Sequence, residues 1–253
     1  MIAADPGRGL ATVFEDQSRI RVFRLAAGAD PVPAAEIPAS WVAAATFDEV
    51  SGDLVVAEDN GGSESSLTVW SMTDPAAPRR AITDPAGPRR TITDPVVPLV
   101  PRRSATIATQ GGIQTVEARG GLIVAGQRDI IVWDGQNVRS LPRRGRASVT
   151  VSLSADRTML AVTGGSGTEL WHLSTADPLL AAVLPGRAVS AAFSPRDPLL
   201  TVGDPRGVTV WDVSALQMTL RDPLSEGCLR QGGLTEPEWR THLPTLPFHP
   251  ACR

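Results

Sequence analysis

Five segments of the chain share one shape, a short β-rich run that closes on an aromatic followed by a polar or small residue. They are RIRVFRL at 19–25, LTVWSM at 67–72, DIIVWDG at 129–135, TELWHLS at 168–174 and VTVWDVS at 208–214. Upstream of each lies a second apolar run with small residues: GLATVFED, DLVVAED, GLIVAGQ, MLAVTGG and LLTVGDP. Before four of these lies a third: WVAAATFDEVSG, GIQTVEARG, SVTVSLSADR and AVSAAFSPRD. A fourth, more polar run follows each aromatic, as in PVPAAEIP, NVRSLPRR and PLLAAVLP. Short β-rich runs bounded by Gly, Pro, Asp and Ser predict strands joined by tight turns.

The closing aromatics are Phe23, Trp70, Trp133, Trp171 and Trp211, spaced by 47, 63, 38 and 40 residues. Four strands in about 40 residues, repeated, is the sequence signature of a propeller blade. With 23 Gly and 22 Pro, the composition also favours many short strands over long helices. The segment AVSAAFSPRDPLLTVGDPRGVTVWDVS resembles a WD-repeat (WD-40) unit in its inner strand, its FSP-D turn and its closing VWD. The resemblance runs from residue 6 to about residue 221 and is strongest in the last two units. It implies an all-β fold, a β-propeller of about five four-stranded blades over residues 1–221, followed by a short α-helical tail over 222–253.

Two departures from the family pattern change the energetics expected. The glycine-histidine pair before the inner strand is absent, because the three histidines are His172, His242 and His249. Candidates for the turn aspartate stand only near Asp16, Asp129 and Asp204. The side-chain network through which that histidine holds the closing tryptophan cannot form. Blades are therefore expected to cohere by apolar packing alone, in a less rigid propeller.

The 63-residue interval between Trp70 and Trp133 contains TDPAAPRRAITDPAGPRRTITDPVVPLVPRR, residues 73–103, with three near-copies of a ten-residue unit. Removing two copies restores the period, which places the expansion between the third and fourth strands of one blade. The segment has six arginines and three aspartates but no aromatic on which bases could stack. Its prolines poorly meet PxxP spacing, and each TDP reads as a turn start. A passive linker is expected, with a partner-binding arm as the rival.

Setting the tail and the surplus copies aside leaves room for slightly fewer than five blades of about 42 residues. MIAADPGRG looks too short to supply a full inner strand, so the first blade is expected to be incomplete and the chain to be the C-terminal part of a larger ring. An incomplete ring would self-associate through its open edge.

In the tail, Asp222-Pro223 predicts an N-cap and first turn, and Gly232-Gly233 the helix end. Thr235-Glu236-Pro237-Glu238 reads as a capping box that opens a second helix through Leu243. The pattern C…LT-x-x-EW…LP-x-x-P[FY]…C resembles the tail that closes many WD-repeat proteins of high-GC bacteria, which implies packing on the last blade with Trp239 as anchor. Cys228 and Cys252 bracket it. They could form a disulfide or simply join Trp239 and Phe248 in a satellite core, and a cytoplasmic location favours free thiols. His242 and His249 could join them at zinc, but the spacing matches no common finger.

All 24 basic residues are arginine, which excludes Walker-type, kinase-lysine and Schiff-base chemistry from this chain. No G-x-S-x-G, H-E-x-x-H or C-x-x-C motif occurs, and GGSG at 164–167 reads as a strand-to-strand turn. No catalytic, cofactor-binding or metal-ligating residue is assigned, and no cofactor is expected. A net charge of −3 gives no global preference for nucleic acid or membrane. The start carries no signal peptide, so the cytoplasm is the default. The expected role is non-enzymatic: a protein-binding scaffold or regulatory propeller of a bacterial signalling protein. A propeller remnant and a propeller enzyme are the alternatives.

Overall fold

The computed structural model describes residues 2–15, 18–59, 64–73, 99–110, 112–126, 129–142, 149–164, 167–174, 177–250 and 252. They form five antiparallel meandering sheets, one for each unit of the repeat. The first comprises β1 (Ile2–Asp5), β2 (Leu10–Glu15), β3 (Arg19–Arg24) and β4 (Val32–Pro38). The second comprises β5 (Val42–Phe47), β6 (Leu54–Asp59), β7 (Glu64–Thr73) and β8 (Val100–Gln110). β9 (Thr115–Arg119), β10 (Leu122–Gly126), β11 (Ile130–Trp133) and β12 (Val138–Leu141) make the third. β13 (Thr150–Leu153), β14 (Met159–Gly164), β15 (Gly167–His172) and β16 (Leu179–Leu184) make the fourth. The fifth has β17 (Ser190–Phe193), β18 (Leu199–Asp204) and β19 (Gly207–Asp212), and three helices follow: α1 (Ser214–Arg221), α2 (Pro223–Gln231) and α3 (Glu236–His242).

The first blade has its inner strand, contrary to the expectation. β1 pairs with β2 from Ile2↔Val13 to Asp5↔Leu10. Four residues suffice because inner strands here are short, and β13 and β17 also have four. The turn is fixed locally: Asp5 Oδ1 accepts from Arg8 N at 3.1 Å, and Gly9 takes φ 60° where a Cβ would lie 2.7 Å from Leu25 O.

The short blade is the last. After β19 the chain enters α1 instead of a fourth strand, so helix begins at Ser214, ahead of the residue 222 boundary read from sequence. SALQMTLR is built largely of straight-chain helix formers, unlike LLAAVL in β16. Leu216 and Leu220, one helical turn apart, pack into the cluster of Met159, Leu170, Leu200 and Val213.

Four apolar clusters alternate with the sheets, each lying between consecutive blades. Strands in the middle blades are therefore covered on both faces. β11 is buried throughout and β14 nearly so, while β19 is exposed except at Trp211. The closing aromatics follow the same rule: Trp70, Trp133 and Trp171 are buried, whereas Phe23 and Trp211 of the end blades are half-buried. Among the described residues the end blades are the more exposed ones, with Val13 at 41 % in the first and Val208 and Val210 at 69 % and 58 % in the last.

β7 and β8 flank the triplicated phrase and pair along their length from Glu64↔Gln110 to Thr73↔Val100. The expansion thus connects the third and fourth strands of the second blade, as the period implied, while residues 74–98 lie outside the described residues. Its base is anchored, because Leu99 is 5 % exposed and its N–H donates to Ala34 O at 2.8 Å. Gly164 pairs with Gly167 across the GGSG hairpin.

Candidate interaction surface

The turns joining first and second strands gather on one face of the stacked blades. There Asp48, 2 % exposed, reaches from the second blade to the third. Its Oδ1 accepts from Val50 N (2.8 Å), Ser51 N (3.3 Å) and Gly120 N (2.7 Å), and Oδ2 from Gly121 N (2.6 Å). Gly120 and Gly121 have φ of 57° and 81°, which lets two successive N–H groups converge on one carboxylate. Burial pushes the Asp48 pKa up, but the N–H donors of Gly121, Val50, Gly120 and Ser51 outweigh it and hold the carboxyl below its usual range.

Arginines extend this chain of contacts in both directions. Arg8 of the first blade donates to Glu49 O (3.3 Å) and Val50 O (2.8 Å), and Arg119 of the third pairs with Glu49 at 2.5 Å. Arg157 of the fourth blade donates to Gly120 O at 2.8 Å, and Arg221 on α1 reaches Asp156 at 3.1 Å. Burial acts against the Asp156 charge, yet hydrogen bonds from Ser154, Thr158 and Arg221 keep its pKa at about 2.

A second set of contacts satisfies the inner strands. Each is a sheet edge whose outward N–H groups need partners. Gln114 Oε1 accepts from Val149 N (3.2 Å), Glu117 Oε2 from Leu153 N (2.9 Å) and Ser152 Oγ from Phe193 N (3.1 Å). In every case the acceptor belongs to the preceding blade. Burial raises the Glu117 pKa to about 7, against the Leu153 N–H and the Arg119 charge, with Glu49 adding to the rise. Blades therefore cohere through polar contacts as well as apolar packing. This corrects the expectation drawn from the missing histidine: the substitute network is distributed over backbone donors that sequence does not reveal.

The opposite face carries Trp41, 61 % exposed and held at φ 51° just before β5. A bulky residue rarely adopts this conformation. It is fixed because Trp41 O accepts from Asp59 N at 2.9 Å and the neighbouring Ser40 N donates to Glu58 Oε1 at 2.8 Å. Sequence reasoning read this residue only as the start of an inner strand. Its position before that strand, beside Ser40 and without apolar partners in register, was the available signal.

Among the described residues, clefts lie between blades on the turn face. One, about 190 Å3, is lined by Asp48, Asp53, Val55, Val69, Ile123 and Trp133. Another, about 230 Å3, lies beneath α1 with Arg196, Arg221, Gln217 and Asp156 on its walls. Both are smaller than ordinary ligand pockets. Among the described residues no group of three His, Cys, Asp or Glu side chains could hold a metal ion.

Cys228 and Cys252 are joined in a disulfide, one of the two alternatives the sequence left open, although a cytoplasmic location favoured thiols. Folding of α2 and α3 against the terminal segment brings their Cα atoms to 5.4 Å, a distance sequence separation does not disclose. The caps read from sequence are present: Asp222 accepts from Ser225 N ahead of Pro223, Gly232 closes α2, and Thr235 and Glu238 form the box. Trp239 meets Phe248 edge-on at 6.0 Å and donates to Leu246 O at 3.0 Å, so these aromatic contacts lie within the tail. His172 is buried with Ser174 Oγ 2.6 Å from Nε2, and Asp204 accepts from Arg206 N and Gly207 N in the last hairpin. Asp129 is exposed at a turn, and Asp16 lies outside the described residues.

No protein-family model matches the sequence. No curated protein matches it. Solved structures do: the mitotic checkpoint complex at a TM-score of 0.57 and Hsv2 of Kluyvelomyces marxianus at 0.55, each 13 % identical and each matched over 84 % of this chain. The chain spans 61 % and 62 % of the length of the matched chains. Both neighbours are WD40 β-propellers. At this identity the likeness concerns the fold, and it agrees with the repeat, the meandering sheets and the inter-blade clusters: the chain has a WD40-like β-propeller fold.

Proposed function

We propose that this chain is a non-enzymatic protein-binding scaffold, the C-terminal part of a larger bacterial signalling protein whose remaining blades complete the ring. The observation that carries the reading is Trp41. The Trp41 backbone is tied to β6, but its side chain, 61 % exposed on a strained backbone, buries little against its own blade, and tryptophan is enriched at binding hot spots. The exposure of the end blades and the neighbours' longer chains support the view that more blades belong to the assembly. A photo-crosslinking residue at position 41 of the full chain, expressed in its own cell, tests it. A discrete protein adduct that is absent when the probe sits at exposed Val138 is the expected result. No adduct, or the same adducts from both positions, overturns the reading and favours a propeller remnant.

A cytoplasmic location is part of the proposal, and among the described residues no helix is long and apolar enough to cross a membrane. The Cys228–Cys252 bond favours a second reading, an oxidising compartment, since cytosolic thiols are ordinarily kept reduced. Thiol alkylation in intact cells distinguishes them: two labelled cysteines support the cytoplasm, none the alternative.

A further inference from the structure

Four blades end on a fourth strand, but the fifth ends on β19, whose outer edge is unpaired among the described residues. Val213 N donates to Pro198 O at 2.9 Å, one step beyond the Asp212↔Leu199 pair of the β18–β19 register. Hydrogen-bonded pairs alternate along an antiparallel ladder. Trp211, Thr209 and Gly207 therefore turn their backbone groups toward β18, while Val208, Val210 and Asp212 turn theirs outward. Leu200, Val202 and Trp211 pack toward the fourth blade. Val208 and Val210 lie on the other face, 69 % and 58 % exposed.

We propose that β19 pairs antiparallel with β19 of a second copy of this chain, with the two Thr209 residues opposite each other. The sequence of the edge selects this register. Val208 then faces Val210 of the second copy, and Arg206 faces its Asp212, each pair occurring twice by symmetry. β-branched cross-strand pairs and opposite charges both stabilise such a ladder. Arg206 and Asp212 are exposed, and Asp212 Oδ1 is engaged only locally, by Ser214 N at 2.8 Å. Sliding the pairing by two residues sets Val208 against Asp212, or Arg206 against Val210; it keeps a single Val–Val pair at the two-fold axis and loses both charge pairs. A one-residue slide sets outward backbone groups against inward ones.

The edge is accessible because α1 departs across the turn face, where Arg221 meets Asp156, and does not run along β19. The pairing is isologous, so it consumes both copies' edges and stops at a dimer. It turns two three-stranded blades into one continuous six-stranded sheet, with the four valines adjacent on its outer face. So small a contact belongs with the weak, transient interfaces.

Sedimentation velocity on the full chain across a concentration series tests the proposal. The wild type is expected to dimerise. Val210→Pro removes an outward N–H that β18 does not use, a substitution edge strands tolerate; it should be monomeric with unchanged circular dichroism. Arg206→Asp and Asp212→Arg each oppose like charges twice and should weaken dimerisation about tenfold, while the double variant R206D/D212R recovers it. The charge set decides the question even if the proline variant misfolds. A wild type that stays monomeric, a dimer that folded Val210→Pro leaves intact, or a double variant no tighter than the singles would each overturn the assignment.

Discussion

Replacing Asp48 with asparagine tests whether the blades are held by buried polar clasps. The carboxylate accepts four backbone N–H groups, two from its own turn and two from the next blade. Asparagine can keep its oxygen toward Val50, Ser51 and Gly120, but its NH2 group then faces the Gly121 N–H that stood 2.6 Å from Oδ2. One charge-assisted bond worth about 1.5–3 kcal/mol is lost, and the others weaken because a neutral acceptor replaces an ionised one. The expected loss is about 2–4 kcal/mol at neutral pH, read from urea unfolding followed by tryptophan fluorescence. The pH dependence supplies an independent check. The folded-state pKa of Asp48 is depressed, so its contribution is present in full above the unfolded value near 3.9 and is lost as pH falls through the folded value. The gap between wild type and Asp48→Asn should therefore close on acidification. A difference under about 0.5 kcal/mol at pH 7, within the scatter of ordinary surface substitutions, would refute the clasp.

Glu117 has the opposite sign. With its folded pKa raised to about 7, the folded state binds the extra proton and wild-type stability falls as pH rises from about 4.5 to 7; Glu117→Gln should flatten that slope and stabilise by roughly 2–3 kcal/mol at pH 8. Deleting residues 74–93 leaves one copy of the repeated phrase and spares Leu99 and β8, so the melting temperature should stay within a few degrees; a larger drop would assign the expansion a structural role. Reducing Cys228–Cys252, or truncating Trp239 to alanine, should speed proteolysis after residue 222 while leaving the blades' unfolding midpoint unchanged, because α3 buries no residue. A shift in that midpoint would mean that the tail braces the last blade.

Local chemistry is what the amino-acid order determined by itself. The runs ending at Phe23, Trp70, Trp133, Trp171 and Trp211 became third strands, since alternation and turn residues act over a few positions. The caps at Asp222, Gly232 and Thr235 were legible for the same reason, and the site of the repeated phrase followed from the period alone. Tertiary structure decided whatever joins distant positions. Asp48 and Gly121 are 73 residues apart, and Glu117 and Leu153 are 36 apart, so nothing local marks either pair as donor and acceptor. β1 looks too short to be a strand until β2 and the second blade cover it, and residues 214–221 form a helix whose Leu216 and Leu220 find their apolar partners in the fourth and fifth blades. Trp41 reads from sequence as the start of an inner strand; only the backbone geometry of β5 and β6 turns it outward. A one-dimensional pattern encodes which elements form, whereas burial and cross-blade hydrogen bonds depend on which surfaces those elements meet, and that is settled only when the sheets stack.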